Sequence, residues 1–336
     1  MRPRIMATTT SLLLLSAVAC SDDQGNPRDP VDITVPAGST LSEVADTLSA
    51  RGVIGSKRPF ELYARFKGAD RDIKSGRYVL ATGSSWGDAL DHLTRGTVVT
   101  IPMTIPEGFR VQQMVPRIAE LTGRSEADVS TSLAAQDIET QLQVPGPGPE
   151  GYLFPDTYRF AQGVPVDAVL SAMAGRYNSI WTPERRARLD SLGMSERELV
   201  TLASIIQAEA RKTDEMPHIS SVFHNRLEQG WLLQADPTVL YALGGPRARL
   251  LYAAIDSVQD NPYNTYTQRG LPPGPIGAPG EAAIEAALYP VTEEYMYFVA
   301  RPDGSHVFTK TVADHNRAKA AARRAWDAIG SGDEVP

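Results

Sequence analysis

In the stretch LASIIQAEA, Leu202 to Ala210, a single carboxylate, Glu209, stands at the rim of an otherwise apolar helical face. Ser195 and Glu198 form the S-x-x-E capping pattern, and Leu199, Leu202, Ala203 and Ile206 then recur at helical spacing. This predicts a helix that begins after Ser195 and turns one stripe toward a core. At about 100° per residue, Glu209 falls between Leu202 and Ile205, two turns and one turn back. Desolvation at such a rim disfavours the ionised carboxylate, raises its pKa and leaves a proton to donate near neutrality, which is the chemistry of a general acid. The same pattern suits a partly exposed glutamate paired with an arginine, so the surrounding residues must weigh on the choice.

Other chemistries find little footing. The five histidines, His92, His218, His224, His306 and His315, show no HExxH-type ligand spacing. Ser204 lacks a GxSxG setting, and no lysine sits in a phosphate cradle suited to a Schiff base. Gly146, Gly148 and Gly151 satisfy a formal GxGxxG, but prolines interleave them and no helix is expected to follow, so a nucleotide loop is rejected. No cofactor or metal is implied.

The elements that must position Glu209 are readable downstream. PHISSVFHNRLEQG predicts a second helix with Ile219, Val222, Phe223 and Leu227 on one face, bounded by Pro217 and Gly230. In QADPTVLYALGG, Asp236 is expected to cap a helix starting at Pro237, a structural and substrate-positioning role, and it is also the best second carboxylate. The run from Tyr263 to Gly280 is too rich in Gly and Pro for regular structure, and a loop this long in a compact domain is usually functional or disordered. Its tyrosines and its Asn264, Thr265 and Thr267 suit stacking on, and hydrogen bonding to, a hydroxyl-rich ligand. A hairpin around Pro302-Asp303-Gly304 and a closing helix are expected after it. In EGYLFPDTYRF, Glu150 to Phe160, the rings of Tyr152, Phe154 and Tyr158 are suited either to a sugar groove or to core packing.

Toward the N-terminus, MRPRIMATTTSLLLLSAVAC has two arginines, a short apolar run and small residues ending at Cys20, the only cysteine. Residues 1–20 therefore read as an export signal of lipoprotein type with Cys20 as lipid attachment site, an uncleaved membrane anchor being the alternative. Residues 21–31 read as a flexible spacer. A weak repeat of strand, glycine turn and amphipathic helix comes next, starting at Thr34, Val79 and Thr104. The expected organisation is a small α+β module over 32–100, a connecting helical segment over 101–147, and a larger mixed α+β domain over 148–330. The net charge of −7 argues against a nucleic-acid partner, which needs clustered Lys and Arg.

Taken together, TIPEGF, EGYLFPDTYRF, LASIIQAEA, VFHNRL, LQADPTVLYALG, YNTYTQRGLPPGPIGAPG and YFVARPDGSHVFTKTVADHN resemble the YceG-like family of endolytic murein transglycosylases over roughly residues 32 to 330. The resemblance implies a LysM-like module followed by a catalytic domain, anchored in the bacterial cell envelope and facing the wall. It implies cleavage of the β-1,4 bond between N-acetylmuramic acid and N-acetylglucosamine in nascent peptidoglycan strands with anhydro ends, and contact with cell-wall synthesis enzymes. Carried over by motif, Glu209 is the acid and base. Gln234, Asp236, Tyr263, Asn264, Tyr266 and Tyr152 line the groove, with Asn225 and Arg226 as supports behind it. Many relatives have Glu where this chain has Gln207, but positions 207 and 209 point about 200° apart and cannot serve one site together. The rival readings are a muramidase that uses water with Asp236 as second carboxylate, and a glycan-binding envelope lipoprotein without catalysis.

Overall fold

The computed structural model describes residues 29–96, 99–245, 247 and 250–328. Cys20 and residues 21–28 of the expected spacer lie outside them. The chain divides into two compact units, residues 1–97 and 98–336.

In the first unit, strand β1 (Pro30–Val35) is followed by helices α1 (Leu41–Ala50) and α2 (Lys57–Phe66), strand β2 (Gly76–Ala81) and helix α3 (Trp86–Arg95). The strands pair antiparallel from Pro30 opposite Ala81 to Val35 opposite Gly76. The module thus begins at Pro30, inside the expected spacer, because a first strand residue does not need its N–H. Helix α1 starts at a capping box in which Thr40 accepts from the Glu43 N–H, and it buries Leu41, Val44, Ala45 and Leu48. These close a small core with Ile33, Phe60 and Tyr78.

The second unit opens with strand β3 (Thr100–Thr104) and helices α4 (Val111–Thr122), α5 (Glu126–Leu133) and α6 (Ile138–Leu142). Strand β4 (Thr157–Ala161) pairs antiparallel with β3, and helices α7 (Val166–Ser179), α8 (Pro183–Leu192) and α9 (Glu196–Glu209) come after it. A 3-10 turn (Thr213–Glu215) leads to helices α10 (Met216–Glu228), α11 (Asp236–Ala242), α12 (Tyr252–Asp256) and α13 (Glu281–Leu288). The hairpin of β5 (Tyr297–Ala300) and β6 (His306–Thr309), and helix α14 (Val312–Ala328), complete it.

The segment 101–147, expected to connect two halves, instead shares one core with the remainder of the second unit: Met103, Met114, Ile118 and Leu142 are buried in the same cluster as Tyr177, Leu202 and Ile284. The reason is a repeat with four members rather than three. Gly38, Gly83, Gly108 and Gly163 each turn the chain from a strand into a helix at φ between 65° and 81°, a region that a residue with a Cβ adopts only at a cost. The fourth copy, at β4 and α7, supplies the strand that pairs with β3. A connector cannot stand alone when its strand has its partner on the far side of the glycine-proline break.

Helix α9 is the centre of this unit. The capping box at Ser195 and Glu198 forms as expected, with the Glu198 N–H donating to Ser195 Oγ at 3.3 Å and the Ser195 N–H to Glu198 Oε2 at 2.8 Å. Where periodicity predicts a one-sided stripe, every residue from Leu199 to Ile206 is buried. Helix α9 packs against α10, α11 and α13, and the 257–280 loop covers the remaining side, Ile276 donating its N–H to Ser204 Oγ at 3.1 Å. Thr201 and Ser204 tolerate this because their hydroxyls bond the carbonyls of Arg197 and Thr201, both at 2.7 Å.

Candidate active site

Glu209 is the last residue of α9, half-buried, and follows Leu202, Ile205 and Ile206, all fully buried. Burial pushes its carboxyl up to about 8, repulsion from Asp236 adds to the rise, and Arg226 opposes it. The end of a helix, where the backbone dipole is negative, acts in the same direction as Asp236. At such a value the carboxyl is largely protonated near neutral pH.

Arg226, on the last turn of α10, is buried and locked by backbone carbonyls: Nε donates to Met296 at 2.8 Å and Nη1 to Leu233 at 2.5 Å. Its guanidinium also lies 5.6 Å from the centre of the Tyr297 ring. A cation held this firmly opposite Glu209 cannot swing in to neutralise it, but lowers the cost of its ionisation. Asn225, next to it, donates to the carbonyls of Glu293 and Tyr295 at 2.7 and 2.9 Å, tying the segment that leads into β5 to the same helix.

Asp236 is the first residue of α11 and does not cap it; the N-cap is Ala235, whose carbonyl accepts from both Thr238 N–H and Thr238 Oγ1. The Asp236 carboxylate is exposed and accepts the Tyr266 hydroxyl at 2.5 Å instead. Burial and the neighbouring Asp236 and Glu209 charges push the Tyr266 phenol well above its ordinary range, so it remains a donor. Gln234 is exposed at φ +48°, a strained conformation for a residue with a side chain, and its N–H is held by the Thr265 carbonyl at 3.0 Å. The chain reversal it makes brings α11 and the loop together, closed by Thr238 Oγ1 and Thr265 Oγ1 at 2.8 Å.

Two expected groove residues lie inside the fold. Tyr152 is fully buried, edge-on to Tyr177, with its hydroxyl on the Gly146 carbonyl at 2.8 Å. Asn264 is also fully buried, its amide on the carbonyls of Ile255 and Val258 and its Oδ1 accepting the Tyr266 N–H. It shapes the loop rather than facing a ligand. Tyr263 leans on Tyr241, ring centres 4.8 Å apart. Phe154 is buried beneath Arg176, and Tyr158 stacks on Phe160. Gln207 pins the loop by accepting the Gly280 N–H at 2.9 Å.

Tyr263 belongs to a second polar cluster that the sequence motifs do not reveal. Glu150 accepts from the Val111 N–H at 3.1 Å and faces the Tyr241 hydroxyl at 3.5 Å, while Arg110 lies over the Tyr241 ring at 4.9 Å. Burial pushes the Glu150 carboxyl up to about 7, against the pull of the Val111 N–H, Arg110 and Tyr241. Its local signal is the acid preceding Gly151, in a motif dominated by aromatic residues. Gly151 itself takes φ +85°, and a Cβ there would collide with the Pro275 ring, so the Glu150 turn and the 257–280 loop interlock. Helix α11 carries Asp236 at one end and Tyr241 near the other, and the loop carries Tyr266 and Tyr263 to the matching places. A cavity of about 490 Å³ lined by Arg197, Thr201, His224 and Pro272 opens nearer the start of α9 and does not include Glu209. Among the described residues no group of three or more His, Cys, Asp or Glu is placed to hold a metal.

Comparison with known proteins gives concordant matches. A family model described as the YceG-like family matches residues 33–321. A Bacillus subtilis (strain 168) protein named endolytic murein transglycosylase is 36% identical over 308 residues, which cover 87% of this chain and 84% of the relative. A protein of the same name from Streptococcus pneumoniae serotype 2 is 30% identical over 87% of this chain, but this match spans only 58% of the relative. A crystal structure of a yceG-like protein from Listeria monocytogenes has a TM-score of 0.59 at 31% identity, covering 87% of this chain and 99% of that one.

Proposed function

The chain belongs to the YceG-like family, and on that premise we propose that it is a peptidoglycan lytic transglycosylase that cleaves the β-1,4 bond between N-acetylmuramic acid and N-acetylglucosamine within glycan strands. Glu209 carries the reading: a carboxyl raised to about 8 at the end of a buried helix, with a locked cation opposite and a carboxylate beside it. Protonated Glu209 donates to the glycosidic oxygen as the bond to C1 breaks, leaving positive charge at C1 and the ring oxygen. The resulting Glu209 carboxylate, stabilised by Arg226, takes the proton of the muramic acid C6 hydroxyl, whose oxygen closes on C1. The acid is regenerated and the product ends in a 1,6-anhydro ring.

Because the nucleophile belongs to the sugar, one carboxyl suffices. Asp236, exposed and held by Tyr266, is suited to orient sugar hydroxyls and keeps the Glu209 proton in place by its charge. Gln234 and Tyr266 lie on the same chain reversal and are the groove residues of this reading. In the first unit, the order strand, helix, helix, strand with antiparallel pairing supports the LysM-like reading. A depression of about 430 Å³ along the turn into α1, from Thr34 to Thr47, is a place for a glycan to lie on it. The cell envelope is the corresponding location, with residues 1–20 as anchor and Cys20 as lipid attachment site. Among the described residues, no helix is long and apolar enough to cross a membrane.

The test is mass spectrometry of purified glycan strands after incubation with the chain from Ser21 onward, beside its Glu209→Gln variant. Internal fragments with anhydro ends, absent with the variant, are expected. Reducing ends, one water heavier, would replace this reaction with hydrolysis through Asp236. Cleavage by the variant at the parent rate would remove Glu209 from the mechanism.

A further inference from the structure

The outward face of α2 has a composition that the glycan chemistry does not explain. Phe60 and Ala64 turn inward and are fully buried. With about 100° per residue, the opposite pole is shared by Arg58, Pro59, Leu62, Arg65 and Phe66, and carries no acidic residue. Leu62 is 71% exposed and Phe66 85%. The apolar surface continues sideways through Tyr63 to Trp86 at the start of α3, ring centres 6.1 Å apart, with the Lys67 ammonium 5.8 Å from the centre of the Tyr63 ring. Lys57 is engaged by Asp46 at 2.6 Å, but among the described residues no ion pair is formed by Arg58, Arg65 or Lys67.

Two large apolar side chains standing in water cost solvation free energy unless something covers them. Ringed by cations and flanked by Tyr and Trp, they have the make-up of a helix lying in the headgroup plane of an anionic bilayer. The cations are local: the whole chain is at −7. Chain geometry agrees, since Pro30 lies ten positions after Cys20, at most about 35 Å of extended chain. If residues 1–20 anchor the protein, the first unit is therefore held within reach of the lipid surface.

We propose that the α2 face formed by Leu62 and Phe66, with Arg58, Arg65 and Lys67 around it, docks the first unit on an anionic phospholipid surface. The contact is separate from the turn into α1, leaving the 34–47 depression free for a glycan. It fixes which way the unit faces relative to the bilayer. The inference draws on the anchor reading for its geometry only, and the two are testable apart.

The chain from Ser21 to Pro336, which keeps every described residue, would be sedimented with vesicles of equal parts phosphatidylglycerol and phosphatidylcholine, and with pure phosphatidylcholine vesicles. Preferential binding to the anionic vesicles that weakens with added salt is expected. In the Leu62→Glu/Phe66→Glu variant the partition falls by about tenfold or more, and Arg58→Ala/Arg65→Ala lowers it severalfold. Equal thermal melting of the variants by circular dichroism shows that folding is intact. A Phe66→Trp variant gives a second reading, an added blue shift of fluorescence on mixing with anionic vesicles. No sedimentation of the parent with these vesicles, or undiminished sedimentation of Leu62→Glu/Phe66→Glu, overturns the proposal. So does a Leu62→Glu/Phe66→Glu defect confined to binding of peptidoglycan sacculi. Membrane retention of the full chain against its Cys20→Ala variant tests the anchor independently.

Discussion

Replacing Glu209 by Gln removes one ionisation and little else, and the structure sets how stability must respond. The folded carboxyl, at about 8, holds its proton more tightly than the ordinary value of 4.5 expected in the unfolded chain. A raised folded pKa contributes no penalty below 4.5; stability is then lost progressively as pH climbs through the window from 4.5 to 8. At about pH 5 the unfolded carboxyl is largely ionised, and the parent has lost about 0.8 kcal/mol; at about pH 7 the loss is about 3 kcal/mol. A folded value about one unit lower changes the figure near neutrality by only about 0.3 kcal/mol, since the unfolded state dominates the difference. The amide stays neutral throughout, so urea denaturation of parent and Glu209→Gln at about pH 5, 6 and 7 should give curves that diverge. Relative to the parent, the variant gains about 2 kcal/mol across that range while losing lytic activity. Parallel stability curves would mean that Glu209 is not desolvated, and with that the argument for a proton donor at neutral pH would fail.

Glu150→Ala should destabilise the fold by roughly 1–3 kcal/mol at about pH 5, where the parent carboxyl is neutral, because the Val111 N–H loses its acceptor; Glu150→Gln, which retains one, should lose less in the same urea melts. Gly151→Ala meets both a left-handed φ and the Pro275 ring, and is expected to cost about 3 kcal/mol or more. Gly148→Ala, at φ +67° with open space around it, should cost only about 1 kcal/mol. Arg226→Gln should move the alkaline limb of the pH–activity profile upward, since loss of the opposing cation raises the Glu209 pKa further; an unmoved limb would separate Arg226 from the acid. Tyr266→Phe leaves Asp236 without its hydroxyl partner and should raise KM more than it lowers kcat in a strand-cleavage assay, if Asp236 positions sugar.

The elements around Glu209 are legible because their signals are local. Ser195 with Glu198 and the turn before His306 each act within a few residues, where backbone geometry and side-chain reach suffice to define the outcome. The strand, glycine turn and helix units belong to the same class, although the fourth copy at AQGVPVDAVL is obscured because its strand begins in an aromatic-rich motif. The placement of 101–147 depends on β3 finding β4 across a separation that no local pattern encodes. Tyr152 and Asn264 fall on motifs rich in aromatic and amide side chains. Whether such a residue faces a ligand or a core depends on what covers it, and the motif around Tyr152 says nothing of Tyr177 on a later helix.

The α+β class, the family and the candidate acid can all be read from the chain alone, because an acid at a rim position on an apolar helix face is a statement about one helix. The electrostatic setting of that acid is a tertiary property. Asp236 and Arg226 come from two separate elements and their charges act through space, while Tyr266, from a third, holds Asp236 by its hydroxyl, all at distances set by the packing of α9, α10, α11 and the 257–280 loop. The same holds for Glu150, whose raised pKa is a consequence of burial against segments distant in the chain. Periodicity reports which face of a helix is covered; it carries no record of what covers it.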